Sequence, residues 1–492
     1  MHNNINKQLL LAFLIVFTST ILFAQRDLTL YNMSNLSQSM SVNPSFRPKT
    51  NVYITLPLPM QTVGFTNSGF GAADLFSADQ KSIISDDQFF KGMKSINYLQ
   101  FQTRNELFGF GFRKKKNYFT FGVANILSAE FDYTPDFLQL FLQGNGGSLS
   151  GRRASFDGLG IHVTDYIEYA IGFNREVSEK LVVGGKIKLL SGVVNVSTSN
   201  STLGFSTGVN GTSIGFDGSA FIRSSNLGAV LDTTKQTKFP VSSLYNFSNL
   251  GLALDLGITY KLTEKISLSA SVIDLGYITW KNDVRNYELK KFDYTFNGVD
   301  ASKVLTDTAN VMRTVTDTLK KTFKSEQSNT AYSTSLSTRF YISGNYHLNK
   351  FFSAGVLWYS QIVRNQYRPA LVISASANVK SWLTATVNYG MYANSYSNVG
   401  FGLSLRGGPL QLFVITDNIL APFNLGGTRA ASLSAGMNFV FGKGKDRVKK
   451  SKDEPTKSSE KSESKSSETP KSEETPSAPA TPLTPAPTEP AK

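Results

Sequence analysis

The stretch Ala331–His347, AYSTSLSTRFYISGNYH, sorts its residues by alternation. Tyr332, Thr334, Leu336, Thr338, Phe340, Ile342 and Tyr346 fall on one face, and Ser333, Ser335, Ser337, Arg339, Ser343, Asn345 and His347 on the other. Successive side chains of a pleated strand point to opposite faces, so a period of two reads as strand and not as helix. The same pattern returns in Leu371, Ile373, Ala375, Ala377 and Val379 against Ser374, Ser376 and Asn378. It returns again in Leu383, Ala385, Val387 and Tyr389 against Thr384, Thr386 and Asn388. Ile266, Leu268, Ala270 and Val272 alternate with Ser267, Ser269 and Ser271. Repeated segments that are apolar on one face and polar on the other, joined by turns, are the signature of an all-β transmembrane antiparallel barrel of the outer-membrane kind.

The turns set the topology. Val177-Ser178-Glu179-Lys180, Leu262-Thr263-Glu264-Lys265, Leu348-Asn349-Lys350 and Val379-Lys380-Ser381 each join two alternating runs, while long connections lie at 134–165, 197–248 and 282–330. Short turns suit the periplasmic rim and long ones the outer rim, which places both chain ends on the periplasmic side. Counting from segments at 96–104 and 106–113 through to 430–442 predicts about 14 strands, with 16 possible. Thr50–Leu58 is strand-like but alone would make the number odd, so residues 25–95 are assigned to an N-terminal plug or hatch with a first-hairpin segment, and 96–442 to the barrel. Trp280, Trp358 and Tyr359 are candidates for the interfacial aromatic girdle.

The ends of the chain differ in kind from its body. Lys7, the apolar run Leu9–Phe23 and a cleavage point after Ala24 make residues 1–24 a signal peptide. Without cysteine there is no lipid anchor at the new N-terminus, no disulfide and no thiolate metal site. Residues 443–492 hold Lys, Ser, Glu, Pro and Thr and no aromatic residue, a composition expected to stay disordered as a periplasmic tail. This tail has 11 basic and 9 acidic residues, a net of +2, so +12 of the chain's +14 lies before it. That charge is read as lumen and rim charge, with Lys186, Lys188 and Arg339 on polar phases, and not as a nucleic-acid surface.

Two loops are expected to carry helices. Thr134-Pro135-Asp136 gives an N-cap, a proline at the first helical position and an acid, followed by Phe137, Leu138, Leu140, Phe141 and Leu142 and stopped by Gly144. So apolar a helix folds into the barrel mouth, lines a ligand site or meets a partner protein. A second helix near 302–324 would carry a stripe of Val304, Val311, Val315 and Leu319, with the same three readings. Chemistry has little to stand on. With His2 removed, only His162 and His347 remain, so no catalytic residue, cofactor-binding residue or metal-ligand cluster is assigned. The triplets at Thr233, Thr308 and Thr318, each after an Asp, are similar to the O-glycosylation sites of Bacteroidota, though composition alone yields roughly two such triplets.

Ser41-Val42-Asn43-Pro44-Ser45-Phe46 resembles the Asn-Pro-Ala motif near the mature N-terminus of fatty-acid-transporter-like barrels and of barrels associated with type IX secretion and gliding. Asp274–Trp280, Leu410–Ile419 and the aromatic ending Gly436–Gly442 resemble a Bacteroidota family of uncharacterised outer-membrane barrels. The resemblance implies a barrel with an N-terminal hatch at Asn43, Pro44, Ser45 and Phe46. In the fatty-acid transporters the hatch and apolar loop helices bind a hydrophobic ligand, and in the secretion-associated relatives the architecture is a docking partner. The first functional expectation is therefore a non-enzymatic scaffold or accessory subunit of an envelope machine. The alternative is a hatch-plugged transporter of small hydrophobic molecules. Expected partners are outer-membrane lipid, other envelope proteins, peptidoglycan or a periplasmic protein at the tail, and a hydrophobic small molecule. A transporter should show an apolar pocket and a gap or kink in one wall strand; a scaffold, a filled lumen and an exposed apolar rim; an enzyme, a histidine beside a serine and an acid.

Overall fold

Alternation along the chain closes into a ring of fourteen antiparallel wall positions. The computed structural model describes residues 27–57, 62–75, 87–209, 213–228, 247–297, 325–380, 382–424 and 426–442. The signal peptide, the tail, the 304–319 stripe and Thr233, Thr308 and Thr318 lie outside these residues. In chain order, β1 (Val52–Thr55) and β2 (Thr62–Asn67) share one wall position, followed by β3 (Asn97–Lys114) and β4 (Asn117–Tyr133). β5 (Arg153–Asp157) belongs to a loop; β6 (Gly160–Glu176) and β7 (Leu181–Ser199) return to the wall. β8 (Thr202–Thr207) and β9 (Ile214–Ser225) are again loop strands, before β10 (Leu250–Lys261) and β11 (Ile266–Trp280) of the wall. After the loop strands β12 (Val284–Phe296) and β13 (Ser325–Ser328), β14 (Tyr332–Ser335) and β15 (Thr338–His347) share one wall position. β16 (Phe352–Val363), β17 (Gln366–Val379), β18 (Leu383–Tyr392), β19 (Ser395–Gly407), β20 (Leu410–Thr416) and β21 (Ala430–Phe441) complete the wall. The ring closes because β1 and β2 pair with β3 on one side and β21 on the other.

The outer surface is apolar. On β10, Leu250, Leu252, Leu254, Leu256 and Ile258 are 36–54% exposed, while Ala253 and Asp255 between them are buried against the interior. Such a band is unfavourable in water and suits hydrocarbon.

The strand count stands, but two of its parts are corrected. Residues 96–104 and 106–113 are not a hairpin: they are the single strand β3, bent by a register shift between Glu106 and Phe108. The missing position is supplied by the Thr50–Leu58 segment, which sits in the wall and not in the plug. The plug–barrel boundary therefore falls near residue 51, not 95. A classical alternation also breaks inside Ala331–His347. Asp274, with φ of 60°, makes a bulge on β11, and the paired strand is interrupted between Ser335 and Thr338. One extra residue exchanges the faces of everything beyond it. Tyr332 therefore points inward, as Arg339 and Tyr341 do, while Ile342 and Tyr346 point outward. For the same reason Trp280 is not a girdle residue: it is fully buried and donates to Thr334 Oγ1 at 2.8 Å. Tyr359 is also internal, packed against Tyr341 with ring centroids 5.0 Å apart; of the three girdle candidates only Trp358 is exposed.

At the long-loop end the loop strands pair in the order β5–β8–β9–β12–β13, and β9 also pairs with the end of β7. The wall is thereby prolonged on one side as a sheet beyond the barrel. The other end carries only short turns and the strand termini Val52 and Phe441.

Candidate functional site: the plugged lumen and its mouth

The chain before the first wall strand fills the lumen. α1 (Leu28–Tyr31) and a 3-10 turn at Ser37–Ser41 are followed by a tight turn at Asn43–Phe46. The turn follows from its residues. Asn43 Oδ1 accepts from Ser45 N at 3.0 Å and from Ser45 Oγ at 2.7 Å, the usual way an Asn side chain closes its own backbone before a proline-fixed φ. Asn43 Nδ2 donates to Tyr31 Oη at 3.0 Å, and Asn174 Nδ2 donates to the carbonyls of both Pro44 and Phe46 at 3.1 Å. The wall makes room for this turn: a Cβ at Gly184 or Gly257 would collide with Pro44 or Asn43. All four hatch residues are buried.

The plug is tied round the ring. Thr29 N donates to Asp417 Oδ1 (2.8 Å), Tyr31 Oη bonds Ser269 (3.1 Å), Gln38 and Asn438 exchange hydrogen bonds (2.8 and 2.9 Å), and Ser45 bonds Thr259 (2.7 Å). Tyr31 stacks on Tyr341, with centroids 4.9 Å apart and planes at 9°, and meets the Phe46 ring edge-on at 5.0 Å. Arg47 pairs with Glu176 at 2.6 Å toward the short-turn end.

Beside the plug, ionic side chains from several strands converge. Lys188 Nζ lies 2.5 Å from Asp274, 2.8 Å from Asp255 and 3.2 Å from Glu168; Arg104 pairs with Glu168 at 2.8 Å, and Arg339 with Asp274 at 2.6 Å and with plug residue Asp27 at 3.3 Å. Buried charges persist only when paired and hydrogen-bonded, so this network is expensive to break at any one member. The expected lumen phases of Lys188 and Arg339 are observed; that the basic residues are matched by acids was not legible in the net charge.

One wall position is interrupted. Thr55 of β1 faces Asn438 and Gly109, and Thr62 of β2 faces Ser434 and Arg104. Between these anchors the chain carries residues 56–61, while β21 advances only through 435–437 and β3 through 105–108. Pro57 cannot extend the ladder beyond β1, because proline has no N–H to give to it. Inside the barrel near β1 and β2 lies a small cavity of about 60 Å³, lined by Tyr53 and Thr62 and by Gln38, Arg104, Glu106, Phe121, Phe413 and Ser434 among others.

Toward the long loops an ionic bar crosses the lumen. Arg368 of β17 donates to both carboxylate oxygens of Glu130 of β4 at 2.8 and 2.7 Å. Arg364 also bonds Glu130 and reaches Asp132 at 2.9 Å. In the closed ring β4 and β17 are separated by six wall positions on either side, so the bar joins opposite walls. The Arg368 guanidinium lies 3.5 Å over the Tyr98 ring. Above it opens a cavity of about 650 Å³, lined by Tyr98, Tyr367, Arg368, Met391, Tyr392, Tyr396 and Lys94 among others.

The loop helix is α3 (Pro135–Gln143), following α2 (Asp87–Lys91), and is capped as expected: Thr134 Oγ1 accepts from Phe137 N at 3.2 Å. Its apolar residues do not form one free surface. Phe137, Leu138 and Leu142 pack with Phe89, Phe90 and Tyr133, and Leu140 packs with Leu149, Ala154 and Phe205. Phe141 is 51% exposed. Asp136 at the helix start receives two hydrogen bonds from Arg152 at 2.9 Å and one from Ser155 N at 2.7 Å. Burial alone would raise its pKa, but these bonds outweigh burial and hold it below the usual aspartate value.

His162 sits between Asp132 (Nε2, 3.3 Å) and Ser197 (Nδ1, 3.3 Å), the trio that a hydrolase reading would seek. Both contacts are long, and the same Asp132 oxygen is held more closely by Arg364, at 2.9 Å. His162 and Ser197 are direct cross-strand partners of β6 and β7, so their proximity follows from register alone. His347 is exposed at a turn, 3.2 Å from Ser267 Oγ.

Comparison with known proteins gives a family without a function. No curated protein matches the chain. Among solved structures it is similar to the toluene transporter TodX of Pseudomonas putida, at 11% identity and TM-score 0.35 over 82% of this chain and 93% of that one. It is similar to the toluene transporter TbuX of Ralstonia pickettii, at 10% identity and TM-score 0.38 over 83% and 95%. A Pseudomonas aeruginosa FadL homologue is 9% identical, with TM-score 0.38 over 82% and 94%. Likeness at this level says nothing of substrate. Residues 44–417, well over half of the chain, match the model of a family of unknown function, DUF5723, and the chain belongs to that family.

Proposed function

We propose that this protein is a hatch-plugged outer-membrane transporter of small hydrophobic molecules. The observation that carries the reading is that the ladder pairs of β1 end at Thr55 and those of β2 begin at Thr62, with a cavity beside both strands. A closed ladder gives a lumen only two ends; an interruption gives it a third opening, sideways, toward the hydrocarbon in which an apolar solute dissolves. The barrel's apolar exterior supports the reading, since an opening there would face lipid. The plug blocks the straight path, so entry at the mouth and exit through the wall is the route the geometry leaves. The scaffold reading calls for a filled lumen, which the plug supplies, and for an exposed apolar rim, whereas most apolar residues of α3 are packed. Its support is the resemblance to secretion-associated barrels.

The test restores the ladder. Cells expressing the chain should take up the apolar dye N-phenyl-1-naphthylamine faster than cells without it. The Pro57→Val/Pro59→Val variant, folded by its gel mobility shift on heating, should lose most of that gain. Uptake equal to that of cells lacking the protein would sink the transport reading.

A further inference from the structure

We propose that the mouth cavity binds a small anion with a ring-sized apolar body, such as an aromatic carboxylate, on Arg368, and that the bound carboxylate displaces Glu130 from Arg368 and so loosens the bar across the lumen to its Arg364 arm. The loosening step rests on the transport reading; the binding step does not.

The cavity has the makings of such a site. Its volume of about 650 Å³ falls within the range of small-molecule pockets. Its walls are rings and a thioether, Tyr367, Tyr392, Tyr396 and Met391, and its charged members are Lys94 and Arg368, both cationic. An uncharged hydrocarbon would leave the buried Arg368 Nε–H unanswered, and a bare anion would leave the rings uncovered. A molecule with both parts satisfies the lining.

Arg368 is built to hold a carboxylate. It is 5% exposed, and its plane is fixed by the Tyr98 ring beneath it. Its Nη1 and Nη2 serve Glu130, and Nη2 also serves Gln366 at 2.8 Å. Nε is buried and has no hydrogen-bond partner among the described residues. A guanidinium with an orphaned, buried N–H on the wall of a cavity has a donor to spare for a second acceptor.

The exchange keeps Arg368 paired throughout. A ligand carboxylate has the same fork geometry as Glu130, so Arg368 trades one bidentate partner for another. Glu130 is not stranded, because Arg364 already bonds it and also holds Asp132. A neutral ring cannot make this trade: it would have to separate a buried pair and leave the Arg368 guanidinium unanswered. The bar therefore selects for an anionic group, and the act of binding leaves only its Arg364 arm across the lumen.

The experiment is calorimetric titration of the full chain in detergent with benzoate, toluene and acetate. Benzoate should bind at least tenfold tighter than either of the others. Glu130→Gln, which weakens the competing partner, should tighten benzoate severalfold. The pair Glu130→Gln/Arg368→Gln should weaken it at least tenfold and leave toluene unchanged. If the pair does not fold, Arg368→Lys, which keeps the charge and loses the fork, must show the same loss. Toluene or acetate binding as tightly as benzoate overturns the proposal, and so does benzoate binding that ignores Arg368. Ionic conductance in planar bilayers then reads the bar: Glu130→Gln or added benzoate should raise it, and no rise refutes the loosening step. Dye uptake that persists without benzoate binding would leave transport standing and remove this inference alone.

Discussion

Asn43→Ala should unseat the plug and leave the barrel standing. The fully buried Asn43 amide donates to Tyr31 Oη at 3.0 Å and accepts from Ser45 N at 3.0 Å and from Ser45 Oγ at 2.7 Å; a fourth contact, to the carbonyl of Ala270, is long at 3.4 Å. Three net hydrogen bonds at about 1 kcal/mol each give a loss of about 3 kcal/mol, the fourth being neglected. At about 1.4 kcal/mol per factor of ten, the population with the turn detached rises on the order of 100-fold. No wall hydrogen bond is lost. The assay is amide hydrogen exchange on peptides covering residues 28–46, with β16 as the internal reference. Faster exchange of the plug by roughly two orders of magnitude, with the reference unchanged, is the expected result. A change in the plug below about threefold, or equal acceleration in β16, would refute the idea that the plug is a separately anchored body.

Two further outcomes follow from the mouth. The Asp136 carboxyl sits below its ordinary pKa in the folded state, so its contribution is full above that ordinary value and is lost as the pH falls through the lower folded one. Protection against exchange in residues 134–155, corrected for the intrinsic pH dependence of amide exchange, should therefore fall as the pH drops below the ordinary aspartate range, and Asp136→Asn should flatten that dependence; an unchanged slope in the variant refutes it. Leu138, 9% exposed, should cost about 2–4 kcal/mol of local stability on mutation to alanine, read by the same exchange, whereas Phe141→Ser should change it by less than about 0.5 kcal/mol. Equal effects at the two positions would mean that α3 is not packed on two sides as described.

Much of the fold was legible because period-two alternation and turn length are local signals. The wall strands from β6 to β21 and the helix cap at Thr134 all follow from them. What was missed depended on events that shift phase by one residue. The bulge at Asp274 turns Trp280 and Tyr332 inward, and nothing in the alternation announces where an extra residue will sit. Pro57 stops the ladder of β1, yet on a strand-by-strand reading it looks like evidence against a strand at all. The site was less legible still. Asn43 was found from its motif, but the bar joins Glu130 to Arg368 across 238 residues of sequence, and pairing across a lumen leaves no periodic trace. The matching of lumen bases by acids is likewise invisible in a net charge of +14.

The plug is made first and can be seated only last. Its partners are Thr259, Ser269, Arg339, Asp417 and Asn438, and the contacts of Thr29 and Gln38 span 388 and 400 residues. The first wall position finds its second neighbour only in the final strand, β21. Until that strand arrives there is no enclosed space for residues 28–50 to enter and no ring to shut behind them. The last seam to form therefore runs along the wall position of β1 and β2, the place where the circle is completed.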